Sequence, residues 1–354
     1  MSRFWSPIVH QLTPYTPGEQ PQDRRYLKLN TNENPYPPSP RVTEVLKGYY
    51  MDSLRLYPDP ESARLVTTIA AHFETTPDRV FVGNGSDEIL AHCFHAFFGR
   101  ELPLLFPDIT YSFYPVYCGL YGVDFRTIPL RDDLSIAISD YTVANGGIIF
   151  PNPNAPTSRL LALDEIEQLC QWHADSVIVV DEAYIDFGGT SAVPLTNRYD
   201  NLLVVQTFSK SRCLAGLRIG YAIGHPKLIE GLNRIKNSFN SYPLDALAQA
   251  AGIAAIKDQA YFENCCRMII DSRDSLSADL TGLGFKVLPS AANFVFAHHP
   301  DAHASALYQA LKQSGVLVRY FGKPRIDDYL RITVGTPDEC RILAERLRAI
   351  LTRT

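Results

Sequence analysis

The chain has 354 residues, 46% of them hydrophobic and 20% charged, with a formal net charge of -5. That length and balance describe a globular protein with room for a large domain and a smaller one. The acidic balance offers no basic field for nucleic acid or an anionic membrane, so any anion must be met by a local arginine pocket and the expected partner is a small molecule.

Seven cysteines at irregular spacing argue against a disulfide framework and for a reducing compartment. The first residues, Met1-Ser2-Arg3-Phe4-Trp5-Ser6-Pro7, lack the sustained apolar core of a signal peptide, and no stretch approaches the length needed to span a bilayer. A cytoplasmic protein is expected.

Residues 1–40 are rich in proline and polar groups, as in Thr31-Asn32-Glu33-Asn34-Pro35-Tyr36-Pro37-Pro38, and read as an extended arm of the kind that crosses a site or a partner. Over 41–245, helical segments alternate with apolar runs at 79–82, 102–106, 147–150, 177–180 and 202–205. Such runs predict an α/β fold with a mostly parallel sheet covered by helices on both faces. From 246 to 354 the pattern shifts to long helices over 244–257 and 261–280, strand-like runs at 293–297 and 329–334, and a final helix over 337–351. This predicts a smaller α+β domain.

Ligands of open α/β sheets bind outside the carboxyl ends of the strands. The first run leads into Gly83-Asn84-Gly85-Ser86-Asp87-Glu88, a glycine-rich turn opening a helix, whose N–H groups and positive dipole end suit a phosphate. The second leads to Tyr111 within an aromatic cluster, either a platform for a planar heteroaromatic ring or part of the core beneath the sheet. The third enters the proline-rich loop Pro151-Asn152-Pro153-Asn154-Ala155-Pro156-Thr157, which can present an amide. The fourth ends in Asp181-Glu182-Ala183-Tyr184. A carboxylate there costs several kcal/mol unless it meets a positive group; a protonated pyridine nitrogen is one such group, with Tyr184 donating to the ring's phenolic oxygen, and a helix cap is the structural alternative. The fifth leads to Thr207-Phe208-Ser209-Lys210, with Arg218 eight residues after the lysine. An amine flanked by hydroxyls and a guanidinium fork suits a carbonyl cofactor beside a phosphate, although a solvated turn lysine fits the local motif as well. Taken in this order, the strand ends specify pyridoxal 5'-phosphate.

On these motifs the chain resembles the fold type I pyridoxal-phosphate aminotransferases, from Leu29-Asn30-Thr31-Asn32-Glu33-Asn34-Pro35 to Leu330-Arg331-Ile332-Thr333-Val334-Gly335-Thr336. The resemblance implies that Lys210 forms the Schiff base and then serves as base and acid of the proton shift. It also implies that Asp181 pairs with the pyridine nitrogen, Tyr184 bonds the ring oxygen and Tyr111 stacks on the ring. The phosphate falls to backbone at Gly85, Ser86 and Asp87, to Ser209 and to Arg218, while Tyr57 reaches the cofactor phosphate of a neighbouring subunit in a homodimer. In the branch acting on histidinol phosphate, Arg319 holds the substrate phosphate; Arg331 holds the α-carboxylate of 2-oxoglutarate or glutamate, or lines the same phosphate pocket. The implied activity is exchange of an amino group between L-histidinol phosphate and 2-oxoglutarate.

Two positions depart from the pattern. Where relatives read Pro-Asn-Asn-Pro-Thr-Gly, the second asparagine is Ala155 and the glycine is Ser158, so either Asn154 takes over the ring-oxygen contact or Tyr184 is left alone. Arg212 stands where relatives often carry an aromatic, and either depresses the pKa of Lys210 or points to solvent. Competing readings are an aromatic amino acid aminotransferase, a threonine-phosphate decarboxylase and a ligand-sensing half of a transcription regulator. The last requires a DNA-binding domain for which residues 1–40 are too short. Histidines such as His92, His95, His298 and His299 lack accompanying carboxylates, so no metal is expected.

Overall fold

The protein is described by a computed structural model covering residues 2–99 and 101–352. In the arm, β1 (Leu27–Lys28) is the first strand. The large sheet follows with β2 (Val80–Asn84), β3 (Leu104–Pro107), β4 (Phe125–Ile128), β5 (Gly147–Pro151), β6 (Ile178–Asp181), β7 (Leu202–Thr207) and β8 (Ile219–Gly224). Its order is β2-β8-β7-β6-β5-β3-β4. The block from β7 to β4 is parallel, and β8 runs antiparallel to both of its neighbours.

Side chains alternate between two apolar layers, as a two-residue period requires. Ile148, Phe150, Ile178, Val180 and Val204 face one core, and Ile149, Val179, Leu203 and Val205 face the other. Two strands of this sheet escaped the sequence reading. β4 is an edge strand with three exposed residues, so it lacks an apolar run. β8 contains Gly220 and Gly224, which dilute its strand signal. Gly220 is required there, because a Cβ would lie 2.5 Å from the carbonyl carbon of Gly85 and from the Ser86 nitrogen.

The second part carries β9 (Lys286–Val287), β10 (Phe294–His298), β11 (Val316–Leu317), β12 (Arg319–Tyr320) and β13 (Leu330–Thr333). A four-stranded antiparallel sheet runs β12-β13-β10-β9, and β1 pairs in parallel with β11. The arm is therefore zipped into the smaller domain. The expected boundary at 245 does not match the packing. Helix Ala246–Lys257 buries Ala248, Ala251, Ala254 and Ala255 in the core of the large sheet, whereas helix Gln259–Gly282 contributes Ile269, Leu276 and Leu280 to the other core. The division falls at Asp258, because the small alanine face lets that helix lie close against Ala63–His72 and Pro40–Lys47. All seven cysteines are free thiols. Among the described residues, no helix is long and apolar enough to cross a membrane.

Candidate active site

The carboxyl ends of the central strands, the arm and the small sheet enclose a cavity of about 480 Å³. Lys210, just beyond β7, lines it; its Nζ donates to the Thr31 carbonyl at 3.3 Å and lies 5.8 Å from the Tyr184 ring centre. Asn34 Nδ2 donates to the Lys210 carbonyl at 2.9 Å. The arm thus touches the lysine at both its amine and its backbone.

Asp181, at the end of β6, is 4% exposed and accepts a 3.1 Å bond from the Ala183 N–H. The Tyr114 hydroxyl is near enough to favour the ionised form but meets no acceptor with hydrogen-bond geometry. Burial outweighs these influences and pushes the carboxyl up to about 7. The next residue points to the opposite face. Glu182 is also raised to about 7 by burial, but it accepts from Ser191 Oγ, Ala192 N and Gln206 Nε2 at 2.5, 2.6 and 2.7 Å. The chain itself satisfies Glu182; Asp181 is left facing a cavity with little to hold its charge. A protonated ring nitrogen fits that deficit.

At the other end of the cavity, Gly85 opens helix Gly85–Phe97, whose N-terminus has no side-chain cap, leaving N–H groups for an anion. Gly85 has φ +80°, and a Cβ there would lie 2.6 Å from Arg218 Nη2. Arg218 is itself left-handed (φ 50°), which swings its guanidinium across this turn. Its Nη2 is 3.1 Å from Asp87 Oδ2 and its Nη1 3.5 Å from Ser209 Oγ, while Tyr111 donates to Asp87 Oδ1 at 2.8 Å. Ser86, Asp87, Tyr111 and Ser209 all line the cavity. Hydroxyl, guanidinium and uncapped helix end form a cradle suited to a phosphate.

The far wall belongs to the arm and the small sheet. Arg331 on β13 lies beneath Phe294 and Phe321, with its guanidinium 5.3 and 5.4 Å from their ring centres, and donates to the Asn30 carbonyl at 3.1 Å. Burial lowers its pKa. Arg319 on β12 donates to the carbonyls of Thr16 and Pro17, both at 3.3 Å. Tyr15 stacks on Phe113 at 4.7 Å and completes the roof. Sequence reasoning missed Tyr15 and Asn32; the proline-flanked aromatic in Pro14-Tyr15-Thr16-Pro17, on an arm already expected to cross a site, was the available signal.

Two expectations change. Asn154 does not take over the ring contact: its amide donates to Ile109 O at 2.9 Å and Thr157 Oγ1 at 3.0 Å and accepts from Thr110 at 3.2 Å, so it is consumed by its own loop and by the segment after β3. Ala155 lines the cavity instead and packs against Tyr184. Arg212 neither reaches Lys210 nor points to solvent. It is buried, donates to Ala255 O and Gln259 Oε1 at 2.9 and 3.3 Å, and covers Phe262 at 3.8 Å, tying helices together. Tyr57, expected at a neighbouring subunit's site, lies outside this chain's cavity, 83% exposed and stacked on Tyr242 at 4.7 Å.

The model of the family "Aminotransferase class I and II" matches residues 24–347. The chain is 60% identical over 347 residues to a histidinol-phosphate aminotransferase of Pseudomonas putida (strain W619), covering 98% of this chain and 100% of the relative. It is 58% identical over 354 residues to histidinol-phosphate aminotransferase 2 of Dechloromonas aromatica, covering 99% of each. The crystal structure of histidinol-phosphate aminotransferase from Sinorhizobium meliloti in complex with pyridoxal-5'-phosphate shares the fold, with a TM-score of 0.90 at 23% identity over 100% of this chain and 99% of that one.

Proposed function

The chain belongs to the class I and II aminotransferases, and from that membership we propose that it transfers an amino group between L-histidinol phosphate and 2-oxoglutarate, with pyridoxal phosphate as cofactor, in histidine biosynthesis. The observation that carries this reading is the placement of one amine, Lys210, in a cavity with an anion cradle at one end and two arginines at the other. Such a cavity takes a phosphorylated cofactor and a substrate with an anion of its own.

Bound pyridoxal phosphate supplies an electrophilic carbonyl and a ring that withdraws electrons from the substrate's α-carbon. Lys210 would hold the cofactor through Nζ, and its freed amine would take the proton from the substrate's α-carbon and deliver it to the cofactor carbon that carried the carbonyl, so that the amino group stays with the cofactor. The Asp181 carboxylate keeps the ring nitrogen protonated. Ser209, Arg218 and the N–H groups of Gly85, Ser86 and Asp87 hold the phosphate. Arg331 orients the α-carboxylate of glutamate or 2-oxoglutarate, and Arg319 takes the phosphate of histidinol phosphate.

The working form is a cytoplasmic homodimer. Tyr57 and Phe239 are 83% and 78% exposed, with Leu56 and Leu54 close by in sequence, a concentration of apolar surface that supports a subunit contact, and Tyr57 reaches the neighbour's cofactor phosphate. The test offers histidinol phosphate, phenylalanine and threonine phosphate to the holoenzyme in single half-reactions followed by the cofactor's visible absorption. Histidinol phosphate is expected to bleach the band fastest. Reaction with phenylalanine alone would move the enzyme to the aromatic aminotransferases, and loss of carbon dioxide from threonine phosphate would make it a decarboxylase.

A further inference from the structure

Asn32 is 1% exposed and adopts φ 56°, in the left-handed region. Its N–H donates to Thr333 Oγ1 at 2.9 Å, and the threonine hydroxyl donates back to Asn32 Oδ1 at 3.2 Å. Asn293 Nδ2 donates to the Asn32 carbonyl at 3.0 Å. This exchange fixes which end of the amide is oxygen. The Nδ2 end then faces Tyr184, at 3.0 Å from its hydroxyl oxygen.

An amide NH₂ has no lone pair to offer, so the Tyr184 oxygen must accept. Its own hydrogen is left for a different acceptor. Tyr184 lines the cavity beside Lys210, its ring edge packed on Phe294 and against Ala155. Ala155 has no side-chain donor, and the amide of Asn154 is consumed by Ile109 O and Thr157 Oγ1. We propose that Asn32 is a positioning residue which commits the Tyr184 hydroxyl to donate to the cofactor's ring oxygen, taking up in this chain the orienting task that an asparagine at position 155 would share. The proposal rests on the aminotransferase reading of the site.

Glycine accepts the same backbone conformation, so Asn32→Gly removes the amide without straining the chain, and Asn32→Asp places an acceptor where the donor stood. The measurement is a pH titration of the visible band of the purified holoenzyme. Weaker donation to a negatively charged ring oxygen raises the apparent pKa of that band. Asn32→Gly is expected to raise it by about half a unit to one unit, in line with one lost hydrogen bond. Asn32→Asp is expected to shift it as far as Tyr184→Phe, and Asn32→Gly to add nothing in the Tyr184→Phe background. If Tyr184→Phe moves the band while both Asn32 variants leave it in place, or if the Asn32→Gly shift persists undiminished without the phenol, the role of Asn32 is overturned. If Tyr184→Phe itself leaves the titration unchanged, the underlying assignment of Tyr184 fails, and the Asn32 proposal with it.

Discussion

The floor and the far wall of the cavity are built on different plans. Each floor residue sits just past a strand of the large sheet: Asp87 after β2, Tyr111 after β3, Asp181 at the end of β6, Lys210 after β7. The wall is assembled from segments about three hundred residues apart, with Arg319 and Arg331 held by carbonyls of Thr16, Pro17 and Asn30. The floor's charges are left incompletely met by the chain, as at Asp181. The wall's arginines are tied to arm carbonyls, although Nε of Arg331 meets no partner among the described residues. A floor of that kind waits for a cofactor that stays, and a wall of that kind orders itself around substrates that come and go.

The contrast requires floor substitutions to damage chemistry and wall substitutions to damage binding. Lys210→Ala should have the largest effect, lowering kcat by about 10³-fold or more, because both the cofactor attachment and the proton carrier are lost. Single-turnover absorption measurements check this, and circular dichroism should show an unchanged fold. An equal loss from any wall residue would erase the distinction.

Asp181→Asn follows, with kcat expected to fall about 10²-fold as the ring nitrogen loses its charged partner. The same variant has a signature in the cofactor-free protein. The folded-state pKa of Asp181 is raised from 3.8 to about 7, so the folded form binds this proton more tightly than the unfolded one. Its contribution to stability is present at low pH, declines as pH climbs from the ordinary carboxylate range toward 7, and is flat above that. Asp181→Asn should remove this slope and raise Tm at pH 8, an effect of at most a few kcal/mol. Glu182 contributes a slope of the same sign. Saturating cofactor should suppress the Asp181 part and leave the Glu182 part, because only Asp181 faces the cavity.

On the wall, Arg331→Lys is expected to raise KM for 2-oxoglutarate about 10- to 100-fold with a smaller change in kcat, as a planar fork is exchanged for a point charge. Steady-state kinetics with each substrate varied in turn decide this. A loss confined to kcat would place Arg331 with the floor.

The same division governs what the sequence could reveal. Floor residues follow local apolar runs, so β-branched stretches announce the strands and the polar residue after each one is exposed to inspection. Asp181, Lys210 and Gly85 all lie at such junctions. Asn32, Tyr15 and the fate of Asn154 were hidden, because each is settled by partners from other segments of the chain. Asn154 and Ala155 are adjacent, yet only the folded loop determines that the amide turns to Ile109 and the methyl to the cavity. β8 was concealed for a related reason. One of its glycines, Gly220, weakens the strand signal and is what the glycine-rich turn at Gly85 and Ser86 needs.

The smallest expected effect tests how firmly the arm is fastened. Glu19 accepts bonds from Tyr308 and Lys312, and its carbonyl accepts from Asn30 Nδ2 at 2.9 Å. The ion pair is partly open to water, with side chains 34% and 29% exposed, so its worth is about 1 kcal/mol or less. Glu19→Gln keeps an acceptor for Tyr308 and the backbone bond to Asn30, and Arg319 still grips Thr16 and Pro17. KM for the phosphorylated substrate should therefore rise less than about fivefold, with kcat unchanged. Raising the salt concentration should narrow the gap between variant and parent, because salt screens what remains of the parent's ion pair. A larger effect that ignored salt would mean that the arm is held by the Glu19 carboxylate's shape rather than its charge, and the wall would then be as rigid as the floor.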